Sequence, residues 1–130
     1  MNETLDVITS AVITKVGDEH MGRFIREQLV REGVDVRGVA TDHERLTALV
    51  ILGIRNEEQF PLIFYRENCT DMALSEDEID ETLLSEARSV VATGTHLSNI
   101  RTEAAVIKAL QLARKHGAKT ALDIDYRPNL

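Results

Sequence analysis

The chain has a single cysteine, Cys69, among its 130 residues, so an internal disulfide framework is excluded and a reducing compartment fits. No apolar run approaches the length of a membrane-spanning helix, and residues 1–6 lack the basic-then-apolar order of a signal peptide. Concentrated positive charge is missing too. The net charge is −7 and the lysines and arginines are scattered, which argues against a nucleic-acid surface. No Walker-type loop, Rossmann glycine fingerprint or zinc-ligand spacing occurs, and the four histidines are dispersed, so no metal site is expected. Nor is there a Ser-His-Asp or Cys-His constellation for nucleophilic catalysis. Internal repeats, low-complexity tracts and linkers are absent as well. What is present is 43% hydrophobic and 28% charged sequence in ordinary amphipathic patterns, enough for one core. These features predict one cytoplasmic domain with no membrane or nucleic-acid partner.

Residues 5–16 are rich in β-branched side chains and read as strand, unusually long and without Gly, Pro or Asn to turn on. Asp18 is the expected N-cap of a helix in which Met21, Phe24, Ile25 and Leu29 recur at helical spacing, and Gly33 is its stop. Residues 34–41 read as a short extended segment. Two strand-like runs, 47–54 and 61–66, joined by a polar loop at 55–59, read as an antiparallel hairpin. Ser75 and Glu78 form a capping-box pattern that predicts a helix over 76–87, with Ile79, Leu83, Leu84 and Ala87 as its apolar stripe. Residues 89–93 read as a buried-type strand ending at Gly94. A helix over 103–116 follows, with Val106, Ile107 and Leu110 inward and Gly117 closing it, and 120–125 is the last strand. This order predicts an α/β fold with parallel strands joined by right-handed crossovers.

Ligands of open α/β sheets bind beyond the carboxyl ends of strands, which points to residues 93–96 and 123–128. Asp123 and Asp125 would alternate onto one strand face, with Arg127 just past it. An arginine there can fork onto a carboxylate or phosphate; equally, it can pair with Asp123 at the surface. The two aspartates could also hold magnesium, but phosphatase-like Asp-x-Asp sites usually continue Gly-Thr, and here Tyr126 and Arg127 follow. On the hairpin, Phe64 and Arg66 share one face and Tyr65 and Glu67 the other. Arg66 either holds an anion or lays its stem over apolar surface. His96 reads as a hydrogen-bonded loop histidine and Cys69 as a packed thiol.

The strings Val16-Gly17-Asp18 through Gly22-Arg23-Phe24, and Gly33-Val34-Asp35-Val36, resemble the second quarter of ribokinase-like carbohydrate kinases. Residues 64–74 (FYRENCTDMAL), 93–98 (TGTHLS) and 123–128 (DIDYRP), in order and correctly spaced, resemble one branch of that family. Its members phosphorylate the terminal hydroxyl of 5-dehydro-2-deoxygluconate in myo-inositol breakdown. The resemblance runs from Ser10 to Leu130. It implies part of a three-layer α/β/α sheet carrying a small β lid, here the hairpin at about 47–66, which often forms the dimer contact. It further implies ATP and Mg2+ as cofactors of the complete enzyme and a small sugar acid as ligand. Arg66 and Arg127 would hold the substrate carboxylate, with Tyr65 and Asp125 as further substrate contacts. Asp125 stands where wider relatives carry Asn, and Phe64 where some place a second sugar-binding tyrosine.

By the same resemblance, residues 1–9 look like the family's first strand and 10–16 like a later one, without the sugar-binding segment between them. The Gly-Ala-Gly-Asp motif that supplies the catalytic base and anion hole is not found by Leu130. No catalytic residue is therefore assigned. The expectation is one partial domain without the ATP-binding half and inactive as a kinase on its own. An uncovered sheet edge and apolar face would leave the chain either a homo-oligomer, through the lid or that edge, or only partly ordered. Two alternatives stand beside this reading: a non-catalytic sugar-acid-binding module, and a phosphatase-like hydrolase using Asp123 and Asp125.

Overall fold

The threonine- and valine-rich run near the start of the chain pairs over only four residues. In a computed structural model, which describes residues 9–125, β1 spans Thr14–Gly17 and lies parallel to β2, Val39–Asp42, with Thr14 opposite Val39 and Gly17 opposite Asp42. Upstream, Ala11 makes one parallel bridge to Asp35. The strand expected at 5–16 is thus shorter within the described residues, and its first part lies outside them.

Helix α1, His20–Arg31, connects the pair. Its cap is Glu19, not Asp18: the Glu19 carboxylate accepts from the Met21 and Gly22 amides at 2.6 and 3.0 Å. Asp18 instead pairs with Arg23 and His43. Beyond the last turn, Gly33 adopts φ 76°, the left-handed stop that its residue type permits. The helix seats on β1 through Gly22, because a Cβ there would fall on the carbonyl oxygen of Gly17. Its larger apolar residues gain little cover, Met21 and Phe24 being 41% and 54% exposed.

The hairpin forms as expected, β3 (Leu49–Leu52) antiparallel to β4 (Leu62–Tyr65), with Leu49 opposite Tyr65. After it come two 3-10 turns, Thr70–Ala73 and Glu76–Glu78. The Ser75–Glu78 capping box exists, but it closes the second turn and does not start a helix. Ile79 then leaves helical geometry at φ −85°, ψ 108°, and Asp80 caps a shorter helix, α2, at Glu81–Ser85. Two competing caps five residues apart therefore split the segment expected to be one helix over 76–87.

Strands β5 (Ser89–Thr93) and β6 (Lys119–Asp123) are parallel and joined by a third 3-10 turn, Gly94–Ser98, and α3, Ile100–Lys115. Helix α3 starts three residues earlier than expected because Asn99 caps it, accepting from the Arg101 amide. Its buried residues are Thr102, Ala105 and Ala113, whereas Ile107, expected inward, is 44% exposed. β5 is likewise not a buried strand: Val91 is 67% exposed. Burial concentrates where α2 and the preceding turn pack on α3, through Leu74, Ile79, Leu84, Ala105, Ala113 and Ala118.

The α/β class is as expected, yet among the described residues the six strands form three separate pairs. The two parallel pairs border one cleft of about 720 Å³, with residues 11–14 on one side, β5 on the other, and Leu84, Ala105 and Ala109 among its lining.

Candidate functional site: a polar cluster at the strand ends

Where β4 ends, the chain turns through Asn68, whose φ of 51° is the left-handed conformation asparagine tolerates. It re-enters the protein at Thr70, which is fully buried. The Thr70 amide donates to the Leu46 carbonyl, and its hydroxyl donates to the carbonyl of Lys15 in β1. The next residue, Asp71, is thereby held beside the hairpin's end. Arg66 Nε donates to Asp71 Oδ2 at 2.6 Å, and the two side chains are only 11% and 19% exposed. Asp71 Oδ1 is fully buried and has no hydrogen-bond partner.

His96, in the turn after β5, adjoins this pair. Burial, and then the positive charge of Arg66, lower its pKa against the opposing pull of Asp71. Its Nδ1 lies 3.3 Å from the Thr93 hydroxyl. Cys69 is buried, and burial, aided by the Asp71 charge, raises its thiol pKa, opposite to what a nucleophile needs.

On the β6 side, the strand ends at Asp123, and Asp125 takes φ 32°. The two aspartates therefore do not continue one alternating strand face. The Asp125 amide donates to Asp123 Oδ1, and the Thr95 hydroxyl donates to Asp125 Oδ2 at 2.7 Å, which ties the end of β6 to the turn that carries His96. Of the residues singled out in the sequence, Arg66 enters this cluster, and Asp125 is joined to the same turn. Tyr65 sits on β4 and is 57% exposed. Arg127 lies outside the described residues. Asp71 was not foreseen as a partner of Arg66; an acidic residue five positions beyond it, across an Asn turn, was the available sign. Thr95 lies in the strand-end segment 93–96 that the sequence pointed to, but its bond to Asp125 was not foreseen. Among the described residues, no group of three or more His, Cys, Asp or Glu is placed to hold a metal ion.

A model of the pfkB family carbohydrate kinases matches residues 6–129. The chain belongs to this family. The 5-dehydro-2-deoxygluconokinase of Geobacillus kaustophilus is 36% identical over 117 residues, covering 89% of this chain and 35% of that protein. The chain thus spans about a third of the length of the curated relatives it matches. Among solved structures, fructokinase from Xylella fastidiosa superposes with a TM-score of 0.87 at 19% identity, over 94% of this chain and 39% of that one. The structure of that fructokinase with bound ATP gives 0.85 at 19%, over 92% and 38%. At those identities the likeness establishes the fold, which is that of ribokinase-like sugar kinases.

Proposed function

We propose that this chain forms part of the sugar-acid site of an ATP-dependent kinase acting on 5-dehydro-2-deoxygluconate. The observation that carries the reading is the 36% identity to a curated 5-dehydro-2-deoxygluconokinase across 89% of the chain. The Arg66 cluster supports it, since a guanidinium at the end of the hairpin suits a substrate carboxylate. In this reading Arg66 and Arg127 hold the carboxylate, and Tyr65 and Asp125 contact the rest of the sugar. ATP and Mg2+ belong to the complete enzyme. Among the described residues no group of three or more His, Cys, Asp or Glu is placed to hold a metal ion.

The chain on its own binds the sugar acid without turning over ATP, works in the cytoplasm, and associates with copies of itself through the hairpin or the open strand edges. Exposed Ile51, Phe60 and Ile63 favour the hairpin route. A thermal-shift titration with 5-dehydro-2-deoxygluconate should give a saturable rise that Arg66→Ala or Arg127→Ala removes. A flat response of the unsubstituted chain would refute the ligand. ATP consumption stimulated by the sugar acid would refute inactivity, and a monomer in sedimentation would refute self-association.

A further inference from the structure

The Arg66–Asp71 pair is built differently from an ion pair that serves stability alone. A guanidinium and a carboxylate close most completely through two parallel bonds. Here a single bond from Nε reaches Oδ2, and Oδ1 is left fully buried with no donor. The two terminal nitrogens of Arg66 have no protein partner among the described residues. Neither is sealed from solvent, since Asp71 Oδ1 is the one fully buried side-chain N or O atom there without a partner. The nearby imidazole of His96 is biased to its neutral form by burial and by Arg66 itself, so no second cation is added. Asp71 in turn is fixed by its neighbour Thr70, whose two bonds anchor the turn to Leu46 and to β1.

From this geometry we infer that Asp71 is a positioning residue: it grips Arg66 at Nε and presents both terminal nitrogens as a preset fork for a ligand's carboxylate. The inference rests on the sugar-acid reading above. It adds that the fork is oriented before the ligand arrives, so binding does not have to freeze a long flexible side chain.

Electrostatics alone and positioning make opposite forecasts for Asp71→Asn. Removing a negative charge beside Arg66 should tighten anion binding if charge is all that matters. If orientation governs, binding weakens. We expect calorimetric titration of the full chain with 5-dehydro-2-deoxygluconate to give a Kd roughly tenfold weaker in Asp71→Asn, with partial recovery in Asp71→Glu. A second readout needs no ligand. The Arg66 Nε–H resonance, assigned by its loss in Arg66→Lys, should be protected from solvent exchange in the unsubstituted chain and unprotected in Asp71→Asn. Equal or tighter binding by a folded Asp71→Asn overturns the positioning role and leaves the sugar-acid reading standing. An unprotected Nε–H in the unsubstituted chain overturns it as well. A protected Nε–H in a chain that binds no sugar acid upholds the grip on Arg66 and overturns the sugar-acid reading.

Discussion

The two strand–helix–strand units solve the same packing problem from opposite sides. In the first, the ends of the strands are buried, at Val16, Val39 and Asp42, while α1 contributes only Gly22 to the interior. In the second, α3 buries Thr102, Ala105 and Ala113, while Val91 of β5 and Leu122 of β6 stay 67% and 49% exposed. The difference comes from the segment between them. The turn Thr70–Ala73 packs on β1, and that turn, Glu76–Glu78 and α2 all pack on α3. The connecting segment is therefore the centre of the protein, and whatever faces away from it is left uncovered.

Substitutions can break this contrast in graded fashion. Leu84→Ala, at a side chain 2% exposed in the central segment, should cost about 2–5 kcal/mol in urea unfolding, since both units lose their common support. Gly22→Ala should cost about 1–3 kcal/mol, because the added methyl meets backbone that cannot rotate away; a melting temperature unchanged from the parent would refute the close seating of α1.

Asp42 sharpens the comparison through pH. Burial by itself would raise its pKa. The amides of Glu44 and Arg45, the Arg45 guanidinium and the Lys15 charge outweigh that and hold it at about 2, below the ordinary 3.8. A depressed folded pKa stabilises the protein above the ordinary value and loses that contribution as pH falls toward about 2. Stability should therefore drop over that acid window in the parent and drop less in Asp42→Asn, measured by denaturant melts at successive pH values. Smallest of all, Phe24→Ser on the outer face of α1 should stay within about 0.5 kcal/mol of the parent, and a larger loss would mean that this face is covered in solution.

Most of the elements were legible in the sequence because the signals that make them are local. Gly33 and Gly117 stop their helices with φ of 76° and 85°, and two apolar, strand-prone runs joined by the polar loop at 55–59 produce a hairpin. Competing local signals were harder to rank. Glu19 displaced Asp18 as a cap because its longer side chain reaches the Met21 and Gly22 amides and also takes the Thr47 hydroxyl and amide, a contact 28 residues away. The candidate site was legible only in part. Arg66 stood out by type and place, but its pairing with Asp71 depends on the turn at Asn68 that Thr70 anchors to β1, and the neutral bias of His96 and the Thr95–Asp125 bond depend on how the strand ends meet.

Sequence by itself determined the family, the order of helices and strands, and the glycine stops after α1 and α3, since each rests on neighbours within a few residues or on whole-string similarity. Only the tertiary structure decided which apolar faces are covered, that the strands form three pairs, and that Asp71 engages Arg66 at Nε. Burial depends on groups brought together from distant parts of the chain, and the Arg66–Asp71 bond, though it spans only five residues, depends on a turn that Thr70 anchors to Leu46 and to Lys15 of β1. Phe24 and Leu84 have equally apolar patterns around them; one faces solvent and the other the core because only Leu84 lies in the segment that both units pack against.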